Sequence, residues 1–239
     1  MPGFGTLINV TAIIVGGLAG LLFGNKLKDH YRETLMNGIG IATLMLGAGG
    51  VMRGMLVFKD GALETQGTMM LIISLALGAI AGEWLQIEEH IEQFGDWLKK
   101  KTGSEKDGGF VHAFLTASLT VCIGAMAVVG SVEDGTRFDP SILEAKAVLD
   151  FVIVMVMAAS MGKGAIFSFV PVGIFQGTIT LIAFFIGGNI PADALNHLSY
   201  VGSALIFCVG TNLVWGRKIR VGNLLPSLIF AMLWGLLPL

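Results

Sequence analysis

The chain has 239 residues, of which 54% are hydrophobic and only 13% charged, against roughly 25% charged in soluble domains. A mean hydropathy of +0.78, gathered into long runs, excludes an ordinary soluble domain, because about eight spans of ~20 residues would use most of the chain. The net charge of −2, without a basic stripe or basic–aromatic interleaving, excludes a nucleic-acid-binding surface.

The runs predict an all-α, polytopic membrane bundle of about eight transmembrane helices forming one domain, 1–239. In chain order the spans are Phe4–Gly24, Leu35–Phe58, Gln66–Leu85, Phe110–Gly130, Leu143–Gly162, Ala165–Gly187, Leu198–Trp215 and Leu224–Leu239. A membrane barrel would need alternation over ~10-residue segments, and these runs are continuous. No basic stretch precedes the first run, which reads as a retained span rather than a cleaved signal. Between the third and fourth spans, Ile87, Ile91, Phe94 and Leu98 fall on one stripe, with Glu88, Glu89, Glu92, Gln93 and Asp96 elsewhere. That spacing predicts an amphipathic helix over 86–101 lying along the membrane interface.

Alternating the loops places eleven of the 15 basic residues on one side: Lys26, Lys28, Arg32, Lys99, Lys100, Lys101, Lys106, Lys163, Arg217, Lys218 and Arg220. Cytoplasmic loops carry the excess of Lys and Arg, so the expectation is a multi-pass protein of the cytoplasmic (inner) membrane with both termini outside. Gly5-Thr6 with Gly16 recurs as Gly67-Thr68 with Gly78, and as Gly177-Thr178 with Gly188. Cys122-x-Gly124 likewise recurs as Cys208-x-Gly210. These matches suggest repeat units 4–58, 66–130 and 165–216, the last entering the membrane from the opposite side, as in the inverted repeats of many transporters.

Small residues at four-residue spacing (Gly16, Gly20 and Gly24; Gly50 and Gly54; Gly78 and Gly82) are expected to let helices approach closely in lipid. Their number suggests surplus faces for a homodimer. Gly124, Gly162 and Gly164 are further packing or break positions, and Pro171, Gly173 and Gly177 predict a broken helix in the sixth span. Intramembrane amides and charges are costly and need partners or a wet cavity. Asn9, Ser168, Gln176 and Asn212 are therefore candidate solute- or ion-binding groups. Lys146 and Asp150, four apart on one helix face, are candidates for ion pairing or cation coupling. Glu133 and Asp134 read as a solvated outer loop, with carboxylates that draw cations to a vestibule as the alternative, and Cys122 and Cys208 as thiols packed like small apolar groups.

No phosphate-binding loop, nucleophile elbow or HExxH is present, and His30, His90, His112 and His197 lack metal-ligand spacing. The expectation is no enzyme, no cofactor, no metal centre and no catalytic residue.

Several segments together carry a family likeness: Gly5-Thr6-Leu-Ile-Asn9, Cys122-Ile-Gly124-Ala-Met-Ala127, Asp134-Gly135 and Lys146-x-x-x-Asp150. So do Ser160-Met-Gly162-Lys-Gly164, Ser168-x-x-Pro171-Val172 and Gln176-Gly177. Along its whole length the chain resembles the YqgA-like integral membrane proteins, domain-of-unknown-function family 554. The resemblance implies a membrane protein often labelled as a transport protein, and no particular substrate. The leading expectation is a gradient-coupled secondary transporter whose partners are the bilayer and a small polar solute or ion. A channel and a non-transporting scaffold or receptor are the alternatives.

Overall fold

A computed structural model describes residues 1–24, 28–59, 61–122, 125–186 and 191–235. The helices are α1 (Phe4–Gly24), α2 (Asp29–Met55), α3 (Thr68–Leu85), α4 (Ile87–Lys101), α5 (Phe110–Cys122), α6 (Ala125–Thr136), α7 (Ser141–Met161), α8 (Phe169–Ile186), α9 (Ala192–Trp215), α10 (Val221–Leu224) and α11 (Pro226–Trp234). Among the described residues, five helical stretches are long and apolar enough to cross a membrane: Phe4–Gly24, Glu33–Met55, Thr68–Leu85, Lys163–Phe185 and Ala192–Trp215, with the bent pair of α5 and α6 a sixth if it counts as one span. The polytopic helical bundle is therefore as expected. Helix α7 has 21 residues but carries Glu144, Lys146 and Asp150, and the last apolar stretch, Val221–Trp234, is short.

Three local expectations change. The fourth span is not one helix ending at Gly130: α5 and α6 meet at a bend of 61°, and α6 continues through Glu133 and Asp134. Gly124 lies outside the described residues. The break expected at Pro171–Gly177 falls earlier. Gly162 has φ of 96° and opens a 3-10 segment, Lys163–Ser168. From Phe169 helix α8 runs unbroken through Pro171, Gly173 and Gly177. Pro171 sits in its first turn, where a missing N–H costs no helical hydrogen bond. Finally, the end of the second run is a two-stranded antiparallel hairpin, β1 (Leu56–Lys59) with β2 (Ala62–Thr65). Asp60-Gly61 in the sequence is its turn signal.

The chain forms two compact units. The first comprises Met1–Ile39, His90–Cys122 and Met126–Asn189. Its axis is the pairing of α1 with α7. The face of α1 carrying Gly5, Thr6, Asn9, Ile13, Gly16, Gly17, Gly20 and Gly24 is buried, whereas Leu7, Val15, Leu18 and Leu22 are exposed. Small and polar groups inside with bulky aliphatics outside is the reverse of a water-soluble helix, and suits packing in lipid. A Cβ on Gly16, Gly20 or Gly24 would lie 2.5, 2.0 or 2.6 Å from the carbonyl oxygens of Phe151, Met155 and Ala159. These matched steps of four make α1 and α7 parallel neighbours in backbone contact. Helix α4 forms as its periodicity predicts, and its stripe meets protein. Leu98 is buried with Phe110 and Phe114, and Ile91, Phe94 and Phe167 pack around them.

The second unit comprises Gly40–Glu89, Ile123–Ala125 and Ile190–Leu239. Here too glycines set the contacts. Gly47, Gly50 and Gly54 of α2 abut Phe207, Ser203 and Tyr200 of α9, while Gly78 and Gly82 of α3 abut Ser227 and Asn223. Glu88, expected on a solvated face, is 2% exposed. Its carboxylate accepts from the Gly222 N–H at 2.7 Å and pairs with Arg217, and its own N–H donates to Asn223 Oδ1 at 2.8 Å. Both glycine pairs of this unit, like the triplet of α1, are thus covered by helices of the same chain. They leave fewer surplus faces for a second copy than their number suggested.

Gly20→Ala should cost about 1–3 kcal/mol, because the methyl group must displace backbone rather than a flexible side chain. Gly38, with nothing within 4 Å of its Cβ position, is the control: Gly38→Ala should be neutral or stabilise by up to ~1 kcal/mol. Denaturant unfolding of both variants in mild detergent checks the pair, and equal effects would contradict the α1–α7 contact.

Candidate functional site

Five of the six expected binding groups lie in the first unit, and four of them come together. Asn9 comes from α1, Lys146 and Asp150 from α7, and Gln176 from α8. Asn9 and Gln176 are wholly buried, Lys146 is 6% exposed and Asp150 3%. Lys146 and Asp150 form an ion pair across one helical turn. The Lys146 ammonium also donates to the Val121 carbonyl at 2.8 Å. A lysine on α7 is thus tied to the backbone of α5.

Asn9 Nδ2 donates to Asp150 Oδ2 at 2.9 Å and to Gln176 Oε1 at 3.3 Å. A carboxylate only accepts, so Asn9 must turn its NH2 toward Asp150. Gln176 must then turn its oxygen toward Asn9. The orientations of both amides follow from the charge on Asp150. This leaves Asn9 Oδ1 and Gln176 Nε2 buried without partners among the described residues, one vacant acceptor and one vacant donor.

One turn from each polar residue stands an apolar one: Ile13 after Asn9, Val154 after Asp150 and Val172 before Gln176. With Val121 these form a buried cluster, against which Cys122, Ile153 and Phe169 pack. The cluster seals the polar site toward the C-terminal end of α1. The opposite side is polar. Asp134 of α6, wholly buried rather than in a solvated loop, accepts from the Gly5 N–H at 3.1 Å through Oδ2. It thereby caps α1 at the positive end of its dipole. Thr6 and Thr180, three and four residues from Asn9 and Gln176, are buried there as well, with unpartnered hydroxyls.

Two expected groups stand apart. Ser168 closes the 3-10 segment, buried and unpartnered, but lies roughly 12 Å along the chain axis from Gln176, beyond Val172. Asn212 belongs to the second unit. Its Oδ1 accepts from the N–H groups of Lys218 and Ile219 at 2.8 and 2.9 Å, and its Nδ2 donates to the Ile219 carbonyl at 2.7 Å. That amide holds the loop after α9. Among the structural positions, Gly164 lies against the Phe110 carbonyl, 1.9 Å from where its Cβ would be, while Gly173 meets only Val10 at 3.3 Å and Gly177 nothing within 4 Å. Thr6 and Thr180 were readable in principle, because they share helix faces with Asn9 and Gln176; Asp134, after Gly130-Ser131 and beside Glu133 and Gly135, was not.

Bulky apolar side chains facing outward around buried charges and amides, on helices of membrane-spanning length, define a polytopic integral membrane protein. The chain belongs to the family described as "Protein of unknown function (DUF554)", whose model matches residues 4–236. It is 28% identical over 226 residues to "Uncharacterized membrane protein YdfK" of Bacillus subtilis (strain 168), covering 95% of this chain and 93% of that one. It is 27% identical over 235 residues to "Uncharacterized protein YqgA" of Escherichia coli (strain K12), covering 95% and 94%. No solved structure matches it.

Asp150→Leu alone strands the Lys146 ammonium in a dry site and should cost ~3–5 kcal/mol. Adding Lys146→Met should recover most of that loss, since replacing a whole buried pair by apolar groups is near neutral. A double-mutant cycle on unfolding in detergent measures the coupling. Additive effects would contradict the ion pair.

Proposed function

We propose that the protein is a gradient-coupled secondary transporter carrying a small polar solute or ion across the cytoplasmic membrane. One observation carries this reading: the unmade hydrogen bonds of Asn9 and Gln176 beside an internally neutralised ion pair. Each unsatisfied buried group costs about 1–3 kcal/mol, a cost that a bound solute would offset at both amides together. A vacant acceptor and a vacant donor suit a solute that both donates and accepts. The Lys146–Asp150 pair can meet a zwitterion or a dipolar headgroup without presenting net charge. The site lies roughly 8 Å into α1, and the Ile13, Val121, Val154 and Val172 layer closes it on one side only, as an occluding layer would.

Inverted repeats fit this reading. The Gly-Thr copies in α1 and α8 run antiparallel, because Asn9 meets Gln176, Val10 lies by Gly173 and Ile166 lies by Gly17. With the basic loops in the cytoplasm and the termini outside, the polar side of the site faces outward and the apolar layer inward. Pairing of two copies stays compatible with this mechanism, which places the solute within one chain.

A thermal-shift screen of the purified protein against ions, amino acids and organic acids should find ligands that raise its unfolding temperature, since binding to the folded form stabilises it. In proteoliposomes such a ligand should show saturable flux that depends on a proton or sodium gradient, and Gln176→Leu should abolish it while the protein stays folded. High unitary conductance without saturation would replace the carrier by a channel. Absence of both binding and flux would contradict the proposal.

A further inference from the structure

Among the described residues, the first unit buries two carboxylates, and only one has a counter-charge. Asp150 is neutralised by Lys146. Asp134 is wholly buried, yet among the described residues it forms no ion pair. The nearby Arg137 is exposed and pairs with Glu133. Lys146 is committed to Asp150 and the Val121 carbonyl. Asp134's one hydrogen bond is from the Gly5 N–H, through Oδ2, and its Oδ1 has no partner. The half-charge at the start of α1 offsets part of a full negative charge. An unpaired carboxylate among membrane helices is otherwise costly and marks an ion site or a proton relay.

The surroundings distinguish those two. Thr6 follows Gly5, whose Cβ position is 3.3 Å from Asp134 Oδ2, and the Thr180 carbonyl is 2.4 Å from the Cβ position of Gly135. The hydroxyls of Thr6 and Thr180 are more than nine-tenths buried and, among the described residues, bonded to nothing, Asp134 included. A proton on Asp134 could satisfy its Oδ1 and at most one of the two hydroxyls, leaving the other without a partner. A cation lying among them would satisfy three oxygens together, and one carboxylate matches one positive charge. Divalent ions are bound by more carboxylates or retain several waters.

We propose that Asp134 Oδ1, Thr6 Oγ1 and Thr180 Oγ1 form a binding site for a monovalent metal cation of sodium type, one helical turn from the Asn9–Asp150–Gln176 site. The cation is the coupling ion of the transporter proposed above. Its charge neutralises Asp134 and steadies the first turns of α1 and the middle of α8, which carry Asn9 and Gln176. Ion occupancy thereby orders the solute site, while Asp150 keeps its pairing with Lys146 throughout.

The test is sodium binding by the full chain in detergent, read by thermal shift and by equilibrium binding of radioactive sodium, with choline replacing sodium at constant ionic strength. Wild-type protein should show saturable stabilisation and one sodium bound per chain. Thr180→Val and Thr6→Val should weaken binding by roughly tenfold or more. Asp134→Asn should lose the sodium response while unfolding in sodium-free buffer no earlier than wild type. The threonine variants keep the test decisive if Asp134→Asn fails to fold. No sodium response in wild type, an unchanged response in the threonine variants, or stabilisation by acid in place of sodium would overturn the proposal. A solute that binds and is transported without sodium would leave the transporter standing and remove the cation site. Sodium binding without any flux would do the reverse.

Discussion

Lys146 and Asp150 face each other across one turn of α7, and burying both charges sets the terms for the elements around them. The ammonium needs a second acceptor, which α5 supplies through the Val121 carbonyl. The carboxylate needs a neutral donor, which α1 supplies through Asn9. Asn9 reaches it because the glycines of α1 bring the two backbones into contact. Gln176 on α8 then takes the remaining Asn9 hydrogen. Buried ion pairs add little stability by themselves, so what this pair contributes is orientation: it decides which way both amides turn and which of their atoms stay vacant.

The same economy appears in the second unit with a different purpose. Glu88, Asn223 and Gly222 close a joint in which the described bonds are made, with Arg217 completing the carboxylate. Asn212 is likewise saturated by its loop. These polar groups hold backbone in place. Among the described residues Asn223 keeps an unpartnered Nδ2 in the Glu88 joint, but the vacant atoms of Asn9, Gln176, Thr6, Thr180 and Asp134 lie within two helical turns of one another in the first unit, and that grouping is what marks them as available to a ligand.

Helix class and most span positions were legible because lipid demands long apolar runs, and no other element satisfies their backbones. Lys146, Asp150, Asn9 and Gln176 were legible for the same reason, since each stands out as costly in an apolar run. Asn212 stood out equally and serves a loop, because cost alone does not say which partner meets it. The Pro171 break was misplaced because a proline in a first turn and one in mid-helix look alike until the helix start is known. Asp134 was hidden by its neighbours: Glu133, Gly135 and Arg137 give the segment the composition of a loop, and only the packing of α6 against α1 and α8 buries it. The partner of Lys146 on α5 had no sequence signal at all, being a backbone carbonyl.

The central claim is that the paired charges orient a ligand site. It is tested most directly by the Lys146→Met, Asp150→Leu protein together with a solute identified by its stabilisation of the wild type. The account predicts a protein that folds as well as wild type to within about 1–2 kcal/mol and no longer binds that solute, read by thermal shift and by equilibrium binding. A double variant that is folded and binds the solute with unchanged affinity would contradict it.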